Sequence, residues 1–173
     1  MTSTSLLMDA FAHNVWATEV LIDACSDLTA EQLVAEAPGT YGPLIATLHH
    51  MVFSDRWYLS NLRDDVEGIE DDARFGLGEL RSIMTANGVL WQEVLAGDPD
   101  PDRQIREVDA EWEIHAPVGV RLAQVIHHGT DHRSHICTIL TTLGIEPPEI
   151  DVWAYARASG RERSKRLPEA ATD

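Results

Sequence analysis

Residues 117–144 read PVGVRLAQVIHHGTDHRSHICTILTTLG. Leu122, Val125, Ile136, Ile139 and Leu140 recur at the spacing of one helix face, and Gly144 stands where a left-handed residue would close the helix. A helix of this length with a single apolar face must bury that face against other helices. The upstream chain supplies them. Leu7, Phe11, Val15 and Leu21-Ile22 mark a helix from Leu6 to about Cys25. Pro43, whose missing N–H costs nothing in a first turn, opens a second helix running to Leu62. A third spans Leu77 to Leu95 and stops at Gly97 before Asp98-Pro99-Asp100-Pro101.

The connections are weaker in pattern. Thr29 and Gln32 fit a capping box for a short helical turn, and 37–42 is a loop. Arg63 to Gly76 is rich in acids and reads as a solvated connection, and Ile105 to Ile114 alternates loosely, as an extended crossover would. Beyond Pro147-Pro148, Glu149 to Ala158 can form a last short helix whose Val152, Trp153 and Tyr155 are available for packing. The expected fold is therefore all-α: a four-helix bundle with a long crossover before the fourth helix and a short C-terminal helix. Residues 1–158 make the bundle and 159–173 a polar, flexible tail.

The composition narrows the function. The chain has 173 residues, enough for one sizeable core, and 13 basic against 29 acidic residues give a formal charge of -16. Nucleic-acid affinity rests on Lys and Arg neutralising phosphates, so this balance argues against it. No apolar run reaches membrane-spanning length and Met1-Thr2-Ser3-Thr4 lacks a basic start, so the expected setting is the cytoplasm, without a membrane. Cys25 and Cys137 lie far apart without CxxC spacing and read as apolar fillers. The five tryptophans, Trp16, Trp57, Trp91, Trp112 and Trp153, read as core or dimer anchors.

The chemistry lies in the histidines. Six of the eight fall in two windows, His49-His50 on the second helix and His127, His128, His132 and His135 on the fourth. Positions i and i+4 of a helix are only about 40° apart, so His128 and His132 project side by side towards one ion. His135 falls near the same stripe. His127, about 100° from His128, reads as solvated, and His13 and His115 as ordinary polar residues. A third ligand must come from another helix. His49 and His50 are both candidates, and His50 shares a stripe with Ala46, Phe53 and Trp57. Three neutral imidazoles suit zinc, nickel, cobalt or ferrous iron, and they leave coordination positions open as catalytic sites do.

The run His128-Gly129-Thr130-Asp131-His132-Arg133-Ser134-His135-Ile136, with Leu140-Leu143-Gly144, resembles the signature of the DinB/YfiT-like metalloprotein superfamily. His13-Asn14-Val15-Trp16-Ala17, Thr47-Leu48-His49-His50-Met51-Val52 with Asp55-Arg56-Trp57, and Asp151-Val152-Trp153-Ala154-Tyr155 are similar to its other helices. The resemblance implies His50, which precedes an apolar pair, together with His128 and His132 as ligands to zinc or nickel, and a homodimer. Asp131 stands where a second histidine is common and Ser134-His135 where Gly-Gln is usual, which makes His135 a candidate substrate contact first, and otherwise a proton carrier or an extra ligand.

Family members of this kind include bacillithiol transferases and mycothiol-dependent isomerases. The resemblance thus implies a metal-dependent enzyme acting on a low-molecular-weight thiol, and His135, where this chain departs from the family pattern, is the candidate catalytic residue, a proton shuttle. Arg outnumbers Lys twelve to one, which tilts the thiol towards mycothiol. Asp131 or Asp55 is the candidate to orient a ligand imidazole. The alternatives are a metal-dependent hydrolase and a non-enzymatic metal-binding stress protein.

Overall fold

The computed structural model describes residues 7–70, 74–109 and 111–165. Among these residues it contains six helices and a two-stranded sheet: α1 (Met8–Ala24), α2 (Ala30–Leu33), α3 (Leu44–Ser60), α4 (Leu77–Ala96), β1 (Gln104–Asp109), β2 (Trp112–Pro117), α5 (Val118–Thr142) and α6 (Val152–Ala158). The expected helix start at Leu6, and the tail from 166 onward, lie outside the described residues. No helix among the described residues is long and apolar enough to cross a membrane.

The helix ends follow local chemistry. At α2 the Thr29 hydroxyl accepts from Gln32 N at 3.2 Å while Gln32 Oε1 accepts from Thr29 N at 2.9 Å, the reciprocal cap that the pattern predicts. Gly144 takes φ +74° just past α5, a conformation that L side chains disfavour. Asp151 caps α6, its Oδ1 accepting from Ala154 N at 2.7 Å.

The all-α expectation needs correcting between α4 and α5. The crossover is a β-hairpin in which Arg106 pairs with His115 and Val108 with Glu113. Ile105 is buried in the core, Arg106 Nη2 reaches Glu113 Oε2 at 2.9 Å, and Glu107 pairs with the buried Arg121 of α5 at 3.1 Å. Alternation along this segment thus separates contacts to α5 from solvated positions, which an unpaired strand would not require.

Two further expectations change. The acid-rich connection after α3 buries Val66 and packs Ile69 on the core. Of the tryptophans only Trp91 is fully buried, while Trp112 and Trp153 are 71% and 68% exposed. Tyr155 packs on Trp16 and His13 as expected for α6, but Val152 and Trp153 face out.

α1 packs on α4 and α5, and α3 packs on the same two helices. They enclose two apolar clusters. One holds Leu21, Leu44, Leu48, Met51, Leu80, Met84, Ile136 and Ile139; the other holds Phe11, Leu59, Trp91, Leu95, Leu122 and Val125. Each long helix carries buried polar residues at the sequence boundary between the clusters: Asn14 and Thr18 on α1, Asp55 on α3, Asn87 on α4, His132 and Arg133 on α5.

Part of this polar layer is joined by hydrogen bonds. Arg133 Nη1 donates to Asn14 Oδ1 at 2.5 Å, Asn14 Nδ2 approaches Asp55 Oδ1 at 3.5 Å, and Trp91 Nε1 donates to Asp55 Oδ2 at 2.8 Å. A buried charge is tolerated only with such partners. Gly129 lies against the layer, where a Cβ would run into the Asn14 carboxamide oxygen and Arg133 Nη1. That close approach explains a glycine inside a long helix.

Candidate metal centre

The histidine windows of α3 and α5 meet at the edge of the polar layer. His50 Nε2 lies 2.9 Å from His128 Nε2, and one ligand atom from each of His50, His128 and His132 falls within 4.8 Å of the others. The ring centroids of His128 and His132 are 4.4 Å apart, and those of His50 and His132 are 4.7 Å apart, all steeply inclined. His128 and His132 are one turn apart on one helix, so the single contribution of α3 completes the set.

His49, the alternative to His50, points elsewhere. Its Nε2 carries the proton and donates to Phe75 O at 2.9 Å, tying the start of α4 to α3. His127 is exposed, as expected. His13 Nε2 donates to Ile150 O at 2.8 Å and His115 pairs with Glu113, both structural roles.

The donor set fits a divalent transition-metal ion. Ligation at about 2.0 Å requires nitrogens roughly 3.3 Å apart in a tetrahedral site, and the 2.9 Å between His50 and His128, with all three ligand atoms within 4.8 Å, is compatible with that value. His132 Nδ1 is buried with no hydrogen-bond partner among the described residues, and so is His135 Nδ1. Orphaned buried atoms of this kind cost about 1–3 kcal/mol each, a cost that a cation or ordered ligand offsets. Burial first, and the neighbouring imidazoles second, lower the pKa of His128 and of His132 to about 4, so both are neutral ligands at pH 7.

The residue orienting His50 is Tyr41. Its ring stacks on His50 with centroids 4.2 Å apart and planes 18° apart, and its hydroxyl lies 3.2 Å from His50 Nδ1. The same ring stands edge-on over His132 at 4.9 Å. Nε2 faces His128, so a proton on Nδ1, shared with the phenol oxygen, would leave Nε2 free to ligate. No pattern in the sequence singles out Tyr41. It sits in a loop between Gly39 and Gly42, and loop residues have no periodicity to reveal their partners.

The acids expected to orient a ligand are placed otherwise. Asp131 is exposed, and Asp55 is engaged by Trp91 and Asn14. Burial raises the pKa of Asp55 to about 6 against the opposing hydrogen bonds of Trp91 and Asn87 and the charge of Arg133. A void of about 10 Å³ is lined by Asp55, Asn14 and His128 among others.

His135 is half-buried one turn beyond His132, with ring centroids 5.4 Å apart, and stands outside the group of three. Cys25 is buried and its pKa is pushed by desolvation to about 12, while Cys137 packs against the core. Neither is an activated nucleophile.

Beside the histidines opens a cleft of about 730 Å³ whose wall includes Tyr41, His50, Phe53 and Trp57. The α3 stripe read from the sequence as His50, Phe53 and Trp57 is thus a cleft wall. A model of the DinB family matches residues 1–166 of the chain. No curated protein matches it.

Proposed function

The chain belongs to the DinB family, and from that premise we propose a metal-dependent enzyme acting on a low-molecular-weight thiol, with His50, His128 and His132 holding one zinc or nickel ion. The observation that carries this reading is the approach of three imidazoles from α3 and α5 to within 4.8 Å at their ligand atoms. A divalent ion held by neutral ligands supplies an undiminished positive charge that lowers the pKa of a thiol beside it towards neutrality.

The chain's own groups set up the rest. His128 and His132 keep their lone pairs free of protons at neutral pH. Tyr41 fixes the tautomer and plane of His50. His135, edge-on to His132, takes the proton that the thiol gives up, work for which an imidazole is suited. The adjoining cleft receives the second substrate. We read the four long helices as a four-helix bundle and the setting as the cytoplasm, where thiols stay reduced.

Hydrolysis would want a carboxylate base, and the group of three contains none among the described residues. That favours thiol transfer. The test is conjugation of mycothiol to monochlorobimane by the zinc-loaded protein. Turnover well above the uncatalysed rate is expected, with His135→Ala keeping its zinc but slowing the reaction by about 10²-fold. Background rates with mycothiol, alongside turnover of an ester or lactone panel, would move the assignment to a hydrolase.

A further inference from the structure

Tyr41 and Trp57, two rings of the cleft wall, are open to solvent, at 53% and 38% exposure. Phe53, edge-on to Phe75 at 5.8 Å and to His49 at 5.3 Å, is only 9% exposed. Tyr41 has its place in the metal centre, stacked on His50. Trp57 is held one ring further out. Its indole is edge-on to Tyr58 at 5.0 Å, and Tyr58 is edge-on to His128 at 6.2 Å. A tryptophan exposed singly on a surface is ordinary. One that lines a cleft continuous with a candidate metal centre is placed to pack on what that centre receives.

Spacing along α3 makes this wall a ruler. His50 belongs both to the group of three and to the cleft. Trp57 follows it by seven residues on the same stripe, which puts about 10 Å of helix between them. Phe53 lies between them, and Ile69 from the connection to α4 also lines the cleft. The volume of about 730 Å³ has room for a molecule of that length. A single ring anchored at the histidines ends short of the indole, whereas two fused rings reach it.

Building on the metal–thiol reading, we propose that Trp57 determines specificity for the second substrate. That substrate carries an aromatic body of at least two fused rings, with its reacting end at the histidines and its far ring against the indole. Contact with Trp57 adds apolar burial and ring packing that a one-ring molecule cannot gain.

The test uses naphthalene-2-carboxamide and benzamide, neutral probes that differ by one ring, titrated calorimetrically into the full chain, zinc-loaded and EDTA-treated. The naphthalene amide should bind about tenfold more tightly than benzamide in both samples. Trp57→Ala should bring the two to within about threefold by weakening the naphthalene amide alone, and Trp57→Phe should keep part of the gain. Trp153→Ala, which removes an exposed tryptophan outside the cleft, should change neither affinity.

A wild-type gain below about threefold, absence of saturable binding, or a gain that survives Trp57→Ala would overturn the proposal. So would a dimer that dissociates on Trp57→Ala in sedimentation while the two amides bind alike, since the indole would then belong to a contact between copies. A Trp57-dependent gain in a chain that takes up no zinc would support the cleft and remove the metal reading. Zinc uptake without the gain would do the reverse.

Discussion

Tyr41 lies flat against His50, ring planes 18° apart, with its hydroxyl 3.2 Å from Nδ1. The contact holds the opposite nitrogen of His50 towards His128, 2.9 Å away. A loop residue thereby sets the geometry of a helix residue. Tyr41→Phe keeps the stack and removes the acceptor, so zinc affinity should fall by about tenfold, and Tyr41→Ala should weaken it further. Competition with a chromophoric chelator measures both.

The pH dependence of metal uptake should be displaced from that of ordinary histidine. His128 and His132 titrate near 4 in the folded chain against an ordinary 6.5. At these two ligands protons therefore compete with the ion only well below pH 6.5, and their contribution to affinity should hold from pH 8 to about 5.5 before dropping. The same shift has a sign for the metal-free protein. A lowered value favours the neutral ring in the fold, so its contribution is complete above 6.5 and is lost as pH falls towards 4. Zinc titrations and denaturation midpoints across this range check both statements, and uptake failing at pH 6.5 would contradict them.

Asp55 works in the opposite direction. Its pKa is raised from 3.8 to about 6, so the folded state favours the protonated acid, and stability falls as pH rises through that window. Asp55→Asn should remove this slope from a plot of unfolding free energy against pH. Arg133→Met should cost more, about 3–5 kcal/mol, because it strips a buried cation from the Asn14–Asp55 arrangement and leaves the carboxylate poorly compensated. The double variant should be less destabilised than the sum of the singles.

Gly129→Ala should be costly although alanine favours helices. The added methyl must displace the Asn14 carboxamide and Arg133 Nη1, inside a buried polar layer that cannot relax into solvent. Overpacking of this kind costs about 1–3 kcal/mol. Because His128 is its neighbour, zinc affinity should weaken as well. Urea denaturation and metal titration on the same sample separate the two effects.

The helices and the paired histidines of α5 were legible because both depend on period. Leu122, Val125, Ile136 and Ile139 mark a face, and His128 and His132 share an edge of it by spacing alone. Period could not choose between His49 and His50, since α3 is apolar on two stripes. The resemblance of the motif to a family made that choice. Ile105 to Ile114 looked like an isolated extended run because a hairpin of two six-residue strands leaves few alternations to count.

The polar layer was hidden for a different reason. Asn14, Asp55, Asn87 and Arg133 are each unremarkable on their own helix, and only the packing of four helices brings them to one level. Tyr41 lies outside the helices, where sequence neighbours say nothing of spatial ones.

The central claim is that three histidines from two helices hold one ion. Metal analysis of zinc-loaded chain, with each histidine replaced in turn by alanine, tests it most directly. The account predicts one zinc per chain, loss of at least about 10²-fold in affinity for His50→Ala, His128→Ala and His132→Ala, and unchanged affinity for the exposed His127→Ala. A chain that takes up no zinc, or one whose zinc survives His50→Ala, would contradict it.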